Sequence, residues 1–256
     1  MSGDVQLVVQ ADDFGMCHAV NEGIVRAFTD GIVQQASVMV PCPWFAEAAV
    51  LAKEHGIPVG MHQTLTCEWE HLRWRPLTLG PSLARSTDGT LRKTVQSVIE
   101  NVTDDDATAE LLAQAERFAA AGLTLTYLDV HMGISKPAAY EAVAAATGVP
   151  FLYPGVSAAL PFRSIWQMSE YAPDVKREKL FRRLERMAGE PGVHLIFGHP
   201  AVASEELRAI TPQDAFNAPW TEEYRVSDLE LLCHPDVRAR VDELGIRLTP
   251  VARAEF

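Results

Sequence analysis

The feature that most restricts the fold of this chain is a repeated unit, in which a short Val- and Leu-rich run is followed by a stretch with helical spacing. Residues 5–11 (VQLVVQA) are the first such run, of the kind expected for a parallel strand buried on both faces. Residues 19–30 then place Val20, Ile24, Val25 and Phe28 at helical intervals and stop at Gly31. The same reading predicts strands at 36–40, 59–64, 125–129, 151–153 and 193–197, and helices at 45–55, 106–121, 137–147 and 174–187. Toward the C-terminus it predicts a helix at 222–226, a strand-like run at 229–232, a helix at 235–244 and a last strand at 247–251. Strands alternating with helices imply parallel βαβ units, and seven or eight of them would close into a barrel. The 256 residues match the roughly 250 that an α/β barrel fills as one domain. The expectation is therefore an α/β fold, a single (β/α) barrel domain over residues 1–256. Only 65–101 breaks the rhythm, with Pro76, Gly80, Pro81 and an Asp88-Gly89 hairpin turn; a connection this long is expected to be functional, here a loop or lid.

Charge and composition exclude several classes. The net charge is −12, and no Lys/Arg run supplies the basic patch that nucleic acid or an anionic membrane requires. There is no glycine-rich GxGxxG after the first strand, so nothing supports a dinucleotide site. Cys17, Cys42, Cys67 and Cys233 lack CxxC spacing and read as reduced thiols, which suits a cytoplasmic protein. No signal peptide is evident at the N-terminus, and no apolar run reaches the ~18 residues of a membrane helix.

Barrel enzymes carry their chemistry at the C-terminal ends of the strands. Asp12 and Asp13 end the first predicted strand, His62 lies in the third, Asp129 and His131 end the fourth, and His199 follows the run 193–197. Each has an ordinary alternative: an Asp-Asp pair can cap a helix, a lone strand histidine is commonly a core residue, and His234 repeats the His-Pro dipeptide of His199 only to start a helix. Four strands delivering such groups to one rim is the informative coincidence. One Asp and two His form a three-ligand metal site with open positions, and mixed nitrogen and oxygen ligation suits zinc, iron, cobalt or nickel better than magnesium without deciding the metal. The second carboxylate is then free to act on a metal-activated water.

The segments VVQADDFGMCHAVNEGI, VGMHQTLT, YLDVHMG and FGHPAV, with the ending EYRVSDLELLCHPDVRARVDELGIRL, resemble the YdjC-like (ChbG/HpnK) carbohydrate deacetylases in order and spacing. The resemblance runs from about Val5 to the C-terminus. It implies a distorted (β/α) barrel and removal of an acetyl group from an N-acetylated sugar or oligosaccharide, dependent on one divalent metal ion, Zn2+ or Mg2+. By the same resemblance Asp13, His62 and His131 would bind the metal, Asp12 would be the general base, and His199 the acid. The chain departs from the family at Met132-Gly133-Ile134-Ser135, where many members carry further histidines, and at Gln63. The first departure puts the substrate class in question.

Two other readings stand beside this one. A phosphodiesterase or sugar isomerase would keep the metal and change the bond; phosphate would call for basic residues such as Arg73 and Arg75 of the long loop. A catalytically inactive sugar-binding protein would not need a carboxylate base beside a metal. Trp69 and Trp74 of the long loop either cover a sugar or pack the loop onto the core. Oligomeric state is open; barrels of this kind often form symmetric homodimers.

Overall fold

The computed structural model describes residues 4–84, 87–211 and 220–256. Its centre is a curled sheet of seven parallel strands: β1 (Val5–Phe14), β2 (Gln35–Val38), β3 (Val59–Gln63), β4 (Leu125–Val130), β5 (Ser164–Gln167), β6 (Gly192–Gly198) and β7 (Arg247–Leu248). The order is β4-β3-β2-β1-β6-β5, with β7 beside β1. One edge of β1 pairs with β6 from Val5 to Ala11. Its other edge is shared, β7 taking Gln6 and Leu7 and β2 taking Gln10 onward. Between the outer strands β4 and β5, Phe151 bridges to Leu128 and Ala159. The result is a curled half-barrel, the distorted (β/α) barrel that the family resemblance implies, with β4 and β5 left unpaired with each other.

Side-chain alternation divides the core in two. Leu7, Val9 and Ala11 of β1 face the helices and join the large cluster there. Val8 faces inward, against Tyr127, Leu152, Val193, Leu195 and Val251. The helices around the sheet are α1 (His18–Thr29), α2 (Phe45–His55), α3 (Val95–Asn101), α4 (Asp104–Ala120), α5 (Pro137–Thr147), α6 (Pro173–Ala188), α7 (Glu205–Ile210), α8 (Glu222–Leu232) and α9 (Pro235–Glu243). Their ends obey local chemistry. Thr103 caps α4 by accepting from the Asp106 N–H, and three aspartates occupy its first turn; α5 starts on Pro137 and ends at Gly148 in the left-handed conformation. Among the described residues no helix is long and apolar enough to cross a membrane.

Several local expectations are corrected. Residues 229–232 are helical, because Arg225, Asp228, Leu229 and Leu232 fall on one buried face of α8; a four-residue apolar run has no period of its own. The stretch 151–153 supplies only a bridge at Phe151, and the fifth strand is instead Ser164–Gln167, a half-buried outer strand with two apolar residues and little sequence signal. The last strand spans two residues rather than 247–251. The long connection is not devoid of structure, since α3 lies within it, as does a short antiparallel bridge from Ala84 to Leu91 around the Asp88-Gly89 turn. All four cysteines are free, three of them buried.

α1 approaches the loop after β6 closely enough for the Val202 N–H to bond the Ala19 carbonyl at 3.0 Å. A Cβ on Gly23 would lie 2.5 Å from the Ala201 backbone. Gly23→Ala gains up to about 1 kcal/mol of helix propensity but overpacks against main chain, which costs about 1–3 kcal/mol. We expect a net loss, seen as a melting temperature lowered by about 2–4 °C per kcal/mol; an unchanged or raised value would contradict the packing.

Candidate active site

In a regular strand adjacent side chains point to opposite faces, so Asp12 and Asp13 should not share a rim. A bulge brings them together. The register against β2 runs from Ala11↔Ala36 to Phe14↔Val38, three steps on β1 against two on its partner. Asp13 takes up the extra residue at φ 71°, in the left-handed region that Asp tolerates better than most side chains. Asp12 and Asp13 thereby both line one cavity at the C-terminal ends of the strands.

Asp13 meets both predicted histidine ligands. Its Oδ1 lies 3.6 Å from His62 Nε2 and 3.4 Å from His131 Nδ1. The far nitrogen of each ring is already engaged: His62 Nδ1 lies 2.9 Å from Asp129 Oδ1, and His131 Nε2 lies 3.0 Å from both oxygens of Glu68. With each ring neutral, donation to those carboxylates turns the lone pairs of His62 Nε2 and His131 Nδ1 toward Asp13. Asp13 Oδ1 is itself buried without a hydrogen-bond partner. Two imidazole lone pairs and an unpartnered carboxylate oxygen, all within 4.8 Å of one another, make a group that could hold a metal ion, and its donor set fits a divalent cation.

Behind this group lies a buried polar ladder. The Val251 N–H bonds Gln35 Oε1 at 2.8 Å, and Gln35 Nε2 bonds Gln10 Oε1 at 2.8 Å. That direction forces the Gln10 amide nitrogen inward, where it donates to Asp12 Oδ1 at 2.7 Å and Asp129 Oδ2 at 2.6 Å. Asp129 also accepts from Ser37 Oγ at 2.5 Å. Asp129 therefore orients His62, and Gln10 bridges the carboxylates of Asp12 and Asp129.

The environments separate the two adjacent acids. Burial works against ionisation of both. At Asp13 the Arg225 guanidinium, with Nη2 at 2.8 Å from Oδ2, and His131 outweigh it and hold the carboxyl well below the usual range. At Asp12 burial wins, aided by the charges of Asp129 and Asp13 and opposed by His62, and the pKa rises to about 7. Burial also opposes charge on His131, but Glu68 and Asp13 prevail and push it up to about 10, so a cation bound there would displace a proton from the ring. At His199 burial dominates and lowers it to about 4. His199 stands across from Asp12, Nε2 to Oδ2 at 3.9 Å, with its ring edge-on to Trp220 at 5.0 Å.

The five residues given roles from the sequence thus converge on one cavity of about 250 Å³, while Asp129, the sixth rim residue, lies behind it on His62. It is also lined by Glu68, Arg225 and Trp220, which sequence reasoning missed. Arg225 and Trp220 had no strand-end position to betray them, and Glu68 sits in the long loop. Met132, at φ 63°, and Ile134 give part of the wall an apolar character where histidines were the family expectation. Trp69 and Trp74 are both 2 % exposed, so they pack the loop onto the core and do not cover a ligand. Arg73 and Arg75 are bonded within the loop, to Cys67, Trp69 and Thr90 and to Asp88 respectively, which removes support for a phosphate site built on them. His234 caps α9, its Nδ1 accepting from Asp236 N–H.

Asp12 carries a stability cost with a defined sign. Its folded pKa of about 7 exceeds the unfolded 3.8, so the folded state resists ionisation; the penalty is absent below about pH 4, grows between 4 and 7 and is complete above 7. Asp12→Asn should therefore raise the melting temperature of protein freed of divalent cations more at pH 8 than at pH 5. An equal shift at both values, in scanning calorimetry with a chelator, would refute the burial argument.

Comparison with known proteins identifies the family and the fold. The family model described as YdjC-like protein matches residues 6–243. A carbohydrate deacetylase of Brevibacillus brevis is 30 % identical, covering 95 % of this chain and 97 % of its own length. A chitooligosaccharide deacetylase of Yersinia enterocolitica is 30 % identical over 94 % and 96 % of the two chains. Among solved structures, an Enterococcus faecalis protein described for cellobiose-phosphate cleavage superposes with a TM-score of 0.81 at 22 % identity, covering 97 % of this chain and 98 % of its own, which establishes the shared fold. The chain belongs to the YdjC-like protein family.

Proposed function

We propose that this protein is a divalent-metal-dependent hydrolase that removes the acetyl group from an N-acetylated sugar or oligosaccharide. The observation that carries the reading is the division between two adjacent buried carboxylates. Asp13 is held ionised with an unpartnered oxygen between two imidazole nitrogens, while Asp12 titrates near 7 beside it, where a general base works best at neutral pH. The names of the Brevibacillus and Yersinia relatives support the carbohydrate and the amide bond.

Asp13, His62 and His131 would hold the ion, Zn2+ or Mg2+, which when bound supplies Lewis acidity to the acetyl carbonyl and to water. Asp12 takes a proton from water as its oxygen attacks the carbonyl carbon. Gln10 occupies Asp12 Oδ1, so Oδ2 is the oxygen available, and it is the one that faces His199. His199 enters the cycle neutral, since burial holds it near 4; it donates to the leaving nitrogen once it has received the proton that Asp12 removed. The C–N bond then breaks, leaving acetate and a free amino sugar. The segment 65–101 acts as a cover for the site, a role supported by Glu68 reaching from it to His131. Trp220, in the cavity wall, offers an aromatic surface to a sugar ring.

Acetate release from N-acetylglucosamine oligomers, with and without added divalent metal, tests the reading directly; no release from any N-acetylated sugar would reject it. His62→Ala and His131→Ala should each lose tightly bound metal. Asp12→Asn should keep the metal and lose roughly 10²–10⁴-fold in turnover, whereas Asp13→Asn should lose the metal; the reverse pattern would exchange their roles. Asp129→Asn, which frees His62, should weaken metal binding roughly 10–100-fold, read by titration against a chelating dye.

Activity should rise with pH along a limb at or below about 7, since a base must be unprotonated and a bound cation pulls its pKa down. That limb should vanish in Asp12→Asn. His199→Ala should harm amide substrates much more than activated acetate esters, because an amine leaves only with a proton; comparable losses on both would assign His199 a binding role.

A further inference from the structure

Lys176 of α6 and Asp228 of α8 take no part in the chemistry above, yet they form an ion pair with 1 % and 0 % of their side chains exposed. Lys176 Nζ also bonds the Tyr224 carbonyl at 3.0 Å and Ser227 Oγ at 2.8 Å. A buried pair like this adds little stability over apolar side chains of the same volume, so another reason for it is worth seeking. Asp228 Oδ2 faces the reaction site. It accepts the His199 backbone N–H at 2.9 Å and the Ser169 hydroxyl. Ser169 Oγ in turn lies 2.8 Å from His199 Nδ1. Close space is left for this contact, since a Cβ on Gly198 would stand 3.2 Å from Asp228 Oδ2 and 3.0 Å from the Met168 side chain.

A serine hydroxyl has one proton to give. The carboxylate is the stronger acceptor and has none to offer, so the Ser169 proton goes to Asp228. His199 Nδ1 must then be the donor in its bond to Ser169. The ring is left with a bare lone pair on Nε2, the nitrogen that faces Asp12 Oδ2 across 3.9 Å. With the opposite tautomer Nε2 would already carry a proton and could receive none from Asp12.

We propose that Ser169 and Asp228, backed by Lys176, are positioning residues that act through His199. They fix its main chain and its tautomer together, and the Asp228 carboxylate meets the positive charge when the imidazole is protonated. The proposal rests on the reading of His199 as the donor to the leaving amine. Ser169 is placed for it by the fold: it follows β5, whose pairing with β6 continues through Met168 N–H to the Phe197 carbonyl, two residues before His199.

The test uses ¹⁵N-histidine-labelled protein with Zn2+ or Mg2+ added, both diamagnetic, and long-range imidazole correlations by NMR, with the His199 signals assigned by their loss in His199→Gln. Wild type should show Nδ1 protonated and Nε2 bare. Ser169→Ala, which keeps the Lys176–Asp228 pair intact, should shift His199 toward the Nε2–H form, and Ser169→Thr should restore the wild-type pattern. In turnover of N-acetylglucosamine oligomers Ser169→Ala should lower kcat roughly 10–100-fold, the low end of acid–base effects because water can enter the vacated space, with KM within about twofold, normal metal content and little loss on an activated acetate ester. Asp228→Asn should lose both kcat and melting temperature, which is why the serine variants decide the matter. An Nε2–H tautomer in wild type, an unaltered tautomer in Ser169→Ala, or equal losses on amide and ester would overturn the proposal. If wild type releases no acetate from any N-acetylated sugar, the deacetylase reading fails, and the tautomer measurement still decides what Ser169 and Asp228 do to His199.

Discussion

The bulge at Asp13 is the constraint on which the site depends. Two acids adjacent in sequence can act on one reaction centre only if the strand gives up its alternation between them, and the left-handed φ of Asp13 is where it does so. Such backbone is retained where surrounding structure over-determines it. Here the surroundings are Arg225 on Oδ2 and two imidazoles beside Oδ1, so the strain and the electrostatics support each other. Removing the bulge would return Asp13 to the helix-facing side, into the company of Val9 and Ala11, where an ionised carboxylate has no partner.

A second constraint is the crowding of like charges. Asp12, Asp13 and Asp129 are all 0–2 % exposed, an arrangement that repels itself in a poorly screened interior. Donors and cations are distributed among them with little overlap: Gln10 bridges Asp12 and Asp129, Ser37 and His62 take Asp129, and Arg225 takes Asp13. α8 serves two functions from one face. Arg225 and Asp228, three residues apart, reach Asp13 and His199 respectively, so a single helix registers the two halves of the site.

The rim was legible in the sequence because four predicted strands each carried an acid or a histidine at or near the C-terminal end, and that coincidence singled out Asp12, Asp13, His62, His131 and His199. The reason Asp12 and Asp13 could share a rim was not legible, since no local rule announces a bulge. The supporting groups were hidden for a related reason. Gln10 and Gln35 read as ordinary polar positions in strands, and Arg225 and Asp228 as the polar members of an amphipathic stretch; only the register between distant elements shows what they touch. In the fold, long apolar runs such as 193–197 were readable, whereas Ser164–Gln167 was not, because a half-buried outer strand draws its identity from its neighbour β6 rather than from its own residues. The apolar run within α8 misled for the same reason in reverse, its helical face being visible only when the charged residues are counted as buried.

The placement of β1 at the middle of the sheet has a consequence for how the molecule comes into being. This strand is made before the other strands, and its neighbours on one edge, β6, and on half of the other, β7, come after all the rest. At about 5–20 residues per second the strand waits roughly 10–40 s for β6, holding an apolar segment with one edge unpaired, and the polar ladder through Gln35 to Gln10 is not complete until Val251 has been added. Long-range pairing of this kind slows folding and lengthens exposure to aggregation. The carboxylates that end β1 are thus the earliest part of the site to be synthesised and among the last to be set in place, and the growing chain passes through a long interval in which it owns its reactive groups but not their geometry.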